Sequence, residues 1–177
     1  MLFWHVGATI AFIRYAFRDE AMDLRFLALG ALLPDLLDTP VGAIGWSIFA
    51  TVRLWGHSFL FGTTVMVLVL LITRRGPARK RWMLLATGSL LHLGLDAMWN
   101  QPETLWWPFL GTVFSSTGFA TFGAYAVNIL ADPLVWVGEA VGAAYLILLW
   151  RRSDLGDAAA RQRLLKTGVV SAGIDRS

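Results

Sequence analysis

Long stretches without charged residues constrain the fold of this chain more than any other feature of its sequence. No Asp, Glu, Lys or Arg occurs from Leu54 to Thr73, and none occurs from Thr104 to Ala131. An apolar helix of about 20 residues is long enough to cross the hydrocarbon core of a bilayer. Charged residues make up 15 % of the chain, well below the roughly 25 % of an ordinary soluble domain. The sequence therefore predicts an all-α integral membrane protein.

The spacing of the apolar segments predicts a bundle of about five transmembrane helices. An interfacial or re-entrant loop is expected before the last helix, between Gln101 and Tyr125, because this segment is rich in Gly, Ser and Thr. The predicted spans are about Leu2–Phe17, Leu24–Leu37 (with an extension past Pro40 to Trp46 left open), Leu54–Thr73, Arg81–Trp99 and Asn128–Trp150. Residues 1–150 then form a single transmembrane domain. Residues 151–177 form a polar tail, with one short helix and a frayed end.

The positions of the basic residues predict how the chain is oriented. They cluster at Arg14–Arg25, at Arg74–Arg81 and at Arg151–Arg152. Five helices bring all of these clusters to one side, which the positive-inside rule assigns to the cytoplasm. We therefore expect a multi-pass protein of the plasma membrane with its N-terminus outside and its C-terminus in the cytoplasm. No nucleic-acid partner is expected, because the net charge of +3 comes from helix ends rather than from a basic face.

Several ionisable residues inside the predicted spans lie at one depth. With a rise of about 1.5 Å per residue, five of them lie about 15 to 25 Å from the cytoplasmic ends of their helices. They are His5, Asp35, His57, His92 and Asp96, and they include all three histidines. Ionisable groups inside a bilayer usually line a functional cavity or pair with one another. Because the chain has no cysteine, a metal ion here needs His and carboxylate ligands, which suit Zn, Mn or Fe.

Each member of this set also has a structural explanation when it is taken alone. His92 and Asp96 are four residues apart, so they share a helix face and could form a local hydrogen bond. Asp35 and Asp38 could cap or end a helix near Pro34, and His57 could face water at the start of a span. The common depth of these residues favours a shared site.

Two acidic residues in the last predicted span are more ambiguous. Asp132 and Glu139 lie seven residues apart on one face of that helix, near its outer end. Either could be an additional ligand or a substrate contact. A helix cap is an equally good explanation for Asp132.

Several short motifs resemble a known family when they are taken in order. They are an N-terminal His, "GALLPDLLD", R-x-x-x-H-S, H-x-x-x-D and "WWPF", spread over residues 5–150. This set resembles the YdjM-like family of bacterial membrane-bound metal-dependent hydrolases. The ligand pattern is also similar to that of the N-terminal part of zinc-dependent phospholipase C. The resemblance implies location in the bacterial inner membrane and the metal ligands His5, Asp35, His57, His92 and Asp96, with Asp38 as a neighbouring or bridging ligand.

The chain departs from the family pattern at two positions of one motif. The family usually shows "HRG-x-THS", whereas this chain reads "VRLWGHS", so that Val52 replaces a His and Gly56 replaces a Thr. The later His and Glu ligands of the phospholipase are not evident either. One or two metal ions, Zn in the first place, are therefore expected rather than three.

Two functions from different classes follow from the sequence. The first is a metal-dependent hydrolase of a phospholipid or lipid-linked phosphate ester in the outer half of the bilayer. In it Asp38 or Asp96 accepts a proton, Arg53 holds the phosphate, and Trp106 and Trp107 form a lip at the headgroup level. The alternative is a non-catalytic metal-binding protein: a structural metal, a metal or proton transporter, or an assembly factor. A site whose coordination positions are all filled by protein would favour the alternative.

Overall fold

The computed structural model describes residues 1–171 and confirms the all-α prediction. This part of the chain contains nine α-helices and no strand. The helices are α1 (Leu2–Phe17), α2 (Leu24–Ile44), α3 (Trp46–Phe49), α4 (Phe59–Ile72), α5 (Pro77–Leu95), α6 (Pro102–Leu105), α7 (Phe122–Ala131), α8 (Pro133–Arg152) and α9 (Ala158–Thr167). Two 3-10 turns, Trp55–His57 and Met98–Asn100, precede α4 and α6. Residues 172–177 of the predicted frayed end lie outside the described part.

The helix boundaries differ from the predicted spans where the backbone becomes irregular. The first helix has the predicted bounds, and the second continues through Pro34 and Pro40 as far as Ile44. The third predicted span starts late, because residues 55–57 form a 3-10 turn. The last predicted span is two helices, since α7 ends before Asp132 and α8 begins after it. Residues 106–121 form no helix, in keeping with the expected loop.

Among the described residues, two helices rather than five are long and apolar enough to cross a membrane. They are α2 and α8. The apolar helices α1 and α4 have only 16 and 14 residues, short of the roughly 20 that a full span needs. Only 11 % of the most apolar stretch of α8 is buried, so its apolar surface faces outward. Large apolar side chains on an outer surface are typical of an interaction with lipid or with another protein.

Glycines bring the central helices into close contact. The most extensive helix pairing joins α2 to α5, while α1 packs on α2 and α8, and α4 packs on α5. A Cβ atom on Gly88 would lie 2.7 Å from the carbonyl oxygen of Leu27, so only glycine fits there. In the same way, a Cβ atom on Gly7 would lie 2.5 Å from the carbonyl oxygen of Gly142. Small residues at helix contacts allow such close backbone approach in membrane proteins.

The C-terminal segment packs against one end of this bundle. The amide of Leu24 donates to the carbonyl of Gly168 at 2.8 Å, and the Arg25 guanidinium donates to the carbonyl of Leu165 at 2.5 Å. An apolar cluster lies beneath these contacts and is formed by Ile10, Ile13, Met22, Leu24, Leu27, Leu149, Leu155 and Val170. The short tail helix is therefore confirmed as α9, but the tail is docked as far as Ser171 rather than free.

Candidate metal centre

Three fully buried histidines meet at the other end of the bundle. His5 comes from α1, His92 from α5, and His57 from the 3-10 turn before α4, and each residue is 0 % exposed. The rings of His5 and His92 stack with centroids 4.1 Å apart, and the His57 ring stands edge-on to His92 at 5.1 Å. The predicted convergence of these helices at one depth thus brings all three rings into contact.

Each of these histidines uses its Nδ1 atom on an oxygen acceptor. The pairs are His5 with the Met1 carbonyl (2.5 Å), His57 with the Asp38 carboxylate (2.8 Å) and His92 with the Ala31 carbonyl (2.7 Å). Carbonyls and ionised carboxylates only accept hydrogen bonds, so each Nδ1 carries the ring proton. When the rings of His57 and His92 are neutral, their Nε2 atoms keep lone pairs that can bind a cation. The Nε2 atom of His5 lies 2.9 Å from Asp96 Oδ1, which is an acceptor, so this nitrogen holds either a second proton or a cation.

The spacing of two of these Nε2 atoms fits a metal ion. The Nε2 atoms of His57 and His92 lie 3.3 Å apart. Two lone pairs at this distance repel one another unless a proton or a metal cation is bound to them. Tetrahedral Zn–N bonds of about 2.0–2.1 Å would place two ligand nitrogens roughly 3.3–3.4 Å apart. The observed separation therefore matches two ligands of one tetrahedral ion.

Two carboxylates complete the cluster. Asp35 Oδ1 lies 3.4 Å from the Nε2 atom of His57 and 3.7 Å from that of His92. Asp96 Oδ1 lies 2.9 Å from the Nε2 atom of His5, and its Oδ2 lies 3.8 Å from that of His57. Two overlapping groups result, one of His5, His92 and Asp96 and the other of Asp35, His57 and His92. We call these five residues the histidine cluster.

Asp38 lies behind His57 rather than in the cluster. Its carboxylate is 3 % exposed and accepts hydrogen bonds from the amides of Leu54, Gly56 and His57 at 2.8–3.0 Å, besides the bond from His57 Nδ1. Both oxygens are therefore occupied by donors. The predicted roles of Asp38 as proton acceptor or bridging ligand do not fit this environment, whereas the orientation of a metal-binding histidine does.

Arg53 connects the histidine cluster to the surface of the pocket described below. Its Nε atom donates to Asp96 Oδ2 at 2.8 Å, and its side chain is 21 % exposed. Its terminal nitrogens have no hydrogen-bond partner among residues 1–171. Asp96 itself lies at the C-terminal cap of α5, and its nearest approach to the His92 ring is 4.0 Å. The local His92–Asp96 hydrogen bond considered from the sequence is therefore not formed.

The two ambiguous acidic residues both cap helices. Asp132 is the N-cap of α8 and accepts a hydrogen bond from the amide of Leu134 at 2.9 Å. Glu139 reaches across to the start of α1, where it accepts from the amides of Phe3 and Trp4 at 3.0 and 3.3 Å. Neither carboxylate is directed into the histidine cluster.

A pocket of about 530 Å³ leads from the histidine cluster to the surface. Its polar lining includes Asp35, Arg53 and Asp96. The remaining lining residues are Met1, Leu2, Leu32, Leu36, Thr39, Val52, Phe122, Tyr125, Ala126, Ile129 and Leu130. Neither residue of the predicted tryptophan lip is among them: Trp106 packs on Phe59, and Trp107 packs on Phe114. The aromatic wall comes from α7 instead, a contribution that no sequence pattern indicated.

The family of the chain follows from its similarity to known protein families. Searches of curated proteins and of solved structures found no match. A family described as "YdjM inner membrane protein" matches residues 3–156, which include every residue of the histidine cluster as well as Asp38 and Arg53. This agrees with the resemblance of the ordered motifs. The chain therefore belongs to the YdjM inner membrane protein family.

Proposed function

We propose that this protein is a membrane-embedded metal-dependent hydrolase of a phospholipid or lipid-linked phosphate ester. One observation carries the proposal: three buried histidines direct their Nε2 atoms toward one another and toward two carboxylates. Such a set of nitrogen and oxygen donors suits zinc, with manganese and iron as alternatives. A pocket that reaches this donor set from the surface, with an arginine on its wall, supports a reaction with an anionic substrate.

Asp35, His57 and His92 are the residues best placed to hold an ion, and His5 and Asp96 lie on its other side. His92 belongs to both candidate groups but has only one free ring nitrogen, because Nδ1 is bonded to the Ala31 carbonyl. One imidazole nitrogen binds one ion, which favours a single-metal site. A bound divalent cation would polarise a phosphoryl oxygen and lower the pKa of a coordinated water to about 7.

The residues on the pocket wall supply the remaining functions. The terminal nitrogens of Arg53 are placed to hold two phosphate oxygens, while its Nε atom keeps Asp96 oriented. The Asp35 side chain is 30 % exposed, compared with 5 % for Asp96, and both line the pocket. Oδ1 of Asp35 faces His57 and His92, so Oδ2 of this more exposed carboxylate is the oxygen best placed to accept a proton from attacking water, and Asp96 positions His5 and Arg53.

The charge distribution supports the orientation expected from the sequence, with the C-terminus in the cytoplasm and the histidine cluster in the outer half of the membrane. Lys80 pairs with Asp19, and Arg81 and Arg25 both approach Asp23, so basic residues of separate clusters meet at the end where the tail docks. The histidine cluster lies at the opposite end. The positive-inside rule assigns the basic end to the cytoplasm.

The test combines metal analysis with hydrolysis assays on protein in lipid nanodiscs. We expect wild type to contain about one equivalent of metal and to release phosphate or diacylglycerol from a lipid panel, as a single-metal hydrolase would. His92→Ala and Asp35→Ala should lose both properties, whereas the cap variant Asp132→Asn should keep them. Absence of metal from the wild-type protein, or equal activity in wild type and His92→Ala, would refute the proposal.

The complete burial of all three histidines gives the non-catalytic alternative a physical basis, because structural metal sites are closed to water. The same samples distinguish the two functions. A tightly bound metal without hydrolysis of any ester would favour a structural or transport role. If chelation of the metal lowered the thermal stability of the protein without lowering any hydrolytic activity, that result would also favour a structural or transport role.

A further inference from the structure

The pocket beside the histidine cluster is a cleft with two apolar walls. One wall is formed by Leu32 and Leu36 of α2, and the other by Ala126, Ile129 and Leu130 of α7. The charged side chains that line the cleft lie close together, since Arg53 donates to Asp96, and Asp35 and Asp96 lie 3.4 and 3.8 Å from the Nε2 atom of His57. The lining thus has one charged part beside its apolar walls, as a site for an amphiphilic molecule requires.

The apolar walls of the cleft continue into the outer apolar surface of the protein. Leu36 and Leu130 line the cleft and are 57 % and 61 % exposed, so both walls continue into that surface. Helix α7 has no buried residue and packs mainly on α8. A surface of this kind on a chain of an inner membrane protein family faces acyl chains rather than water.

The charged part of the lining restricts the occupant further. The Arg53 guanidinium has terminal nitrogens available for an anion, but Asp35 and Asp96 would repel that anion unless a cation lies between them. A phosphate group is attracted to this part of the lining when both Arg53 and a metal cation are present. A neutral lipid would gain nothing from these charges.

We propose that the cleft between α2 and α7 is a lateral entry slot for the hydrocarbon chain of a phosphorylated lipid, whose phosphate lies at Arg53. This inference rests on the proposed function for the identity of the head group. The substrate enters sideways from the bilayer, so that its chain remains among apolar side chains while its head reaches the histidine cluster.

Neighbouring positions of α7 provide a matched pair of variants. Ala126 lines the cleft, whereas Val127 is 66 % exposed and is not among the lining residues. Ala126→Trp fills the slot, and Val127→Trp places the same side chain on the outer surface. Ile129→Trp fills the slot from a second lining position, in case one variant does not fold.

The experiment uses the full chain in nanodiscs that contain a phosphatidic acid with a diazirine in its acyl chain. After photolysis, cross-linked peptides are mapped by mass spectrometry. We expect wild-type adducts on α2 and α7, a fall of about tenfold in Ala126→Trp and Ile129→Trp from overpacking of the slot, and a change below about twofold in Val127→Trp. Metal content and thermal unfolding are measured for each variant, and only variants that match wild type are compared.

Two outcomes would overturn the entry slot. One is wild-type cross-linking in both slot-filling variants, and the other is adducts confined to the outward faces of α4 and α8. Hydrolysis of the soluble ester p-nitrophenyl phosphate separates this failure from that of the proposed function, because that ester needs no slot. Ester hydrolysis without slot adducts refutes the slot alone, whereas slot adducts without hydrolysis of either ester refute the hydrolase and leave the slot supported.

Discussion

Asp23 and Asp96 are both buried carboxylates, at opposite ends of the bundle, and their surroundings differ in kind. Asp23 is 3 % exposed and accepts hydrogen bonds from the guanidinium group of Arg25 at 2.7 and 2.9 Å. The Nε atom of Arg81 lies 3.5 Å from Asp23 Oδ2. Asp96 is 5 % exposed and has Arg53 on one oxygen, while its other oxygen lies 2.9 Å from the Nε2 atom of His5, a nitrogen that can bind a metal ion once its proton leaves. One carboxylate is matched by fixed donors, and the other faces a nitrogen that can exchange its proton for a cation.

The other residues at the two ends of the bundle differ in the same way as the surroundings of Asp23 and Asp96. The Asp23 carboxylate caps the start of α2 and is neutralised by Arg25, whose guanidinium also donates to the docked tail. This arrangement stabilises the fold by itself. In the histidine cluster, three Nε2 atoms and two carboxylates face inward, and Arg53 is the cationic side chain that contacts them. The facing Nε2 atoms of His57 and His92, 3.3 Å apart, cost free energy until a proton or a cation binds. Sites that break local rules of stability in this way are typically functional.

The largest expected effect comes from removing a shared ligand, in His92→Ala. Metal affinity should fall by more than about 100-fold, beyond the loss typical of outer partners, and hydrolysis should disappear with it. The metal-free variant should be as thermally stable as the metal-free wild type, because a repulsive contact with His57 has been removed. Metal titration and thermal unfolding after chelation measure the two effects.

Asp23→Ala is the matched control for this prediction, since it removes a buried charge from the other end. It should keep its metal and lose stability. If His92→Ala retained metal, or if Asp23→Ala lost it, the two ends would not differ in the way that the comparison states.

The second largest effect should come from Asp38→Asn, which keeps the shape of the residue behind His57. An amide group in place of the carboxylate turns one acceptor into a donor, which then faces backbone N–H groups at residues 54–57. Metal affinity should fall by about 10–100-fold, as for other carboxylates that orient a metal-bound histidine. Competition with a chromophoric chelator measures it. Asp132→Asn, which alters a helix cap, should leave the affinity unchanged; an equal loss there would mean that the effect is general destabilisation.

The composition of the histidine cluster was predictable, because helical rise is nearly constant. Counting residues from the basic ends placed His5, Asp35, His57, His92 and Asp96 at one depth, and the structure brings them together. The role of Asp38 was not predictable by counting. It depends on the turn at 54–57, three of whose backbone amides donate to the Asp38 carboxylate, and sequence spacing gives the position of a residue but not the direction of its side chain.

The number of spans was overestimated for a related reason. A charge-free run marks a segment that tolerates an apolar environment, but it does not say that the backbone there is helical. The run from Leu54 includes a 3-10 turn, and the run from Thr104 includes the irregular segment 106–121. For the same reason the sequence did not reveal α7 as a wall of the pocket. The residues before Tyr125 show no helical spacing of apolar side chains, so nothing in the sequence indicated that Tyr125 lies on a helix. That Tyr125 and Arg53 line the same pocket is apparent only in the folded chain.

A smaller effect is expected from Arg53→Lys, which retains the charge but not the shape of the side chain. A lysine cannot hold Asp96 and also bind two phosphate oxygens, because its ammonium is a single point of contact. We expect kcat/KM for a phosphate ester to fall by about tenfold, mostly through KM, while metal content stays at the wild-type level. Steady-state kinetics and metal analysis on the same sample test this. Loss of metal in Arg53→Lys would show instead that Arg53 acts mainly by holding Asp96 in place.

The smallest effect is expected at the opposite end, from Asp23→Ala, and it should depend on pH. Burial raises the pKa of Asp23, but the hydrogen bonds from Arg25 and the positive charges of Arg25 and Arg81 together outweigh burial and hold that pKa below its usual value. A carboxylate with a lowered pKa in the folded state stabilises that state above its unfolded pKa, about 4, and this contribution is lost as the pH falls through the folded pKa. At pH 7 the variant should lose about 1 to 2 kcal/mol, including the N-cap of α2. Thermal unfolding in detergent from pH 3 to pH 7 should therefore show a difference from wild type that shrinks on acidification.

The variant Asp23→Asn separates the contribution of the charge from that of the helix cap, because it keeps the cap acceptor and loses the charge. Its stability at pH 7 should lie between those of wild type and Asp23→Ala. A difference that grew toward low pH would mean that Asp23 is protonated in the folded protein, and the two ends would then be alike.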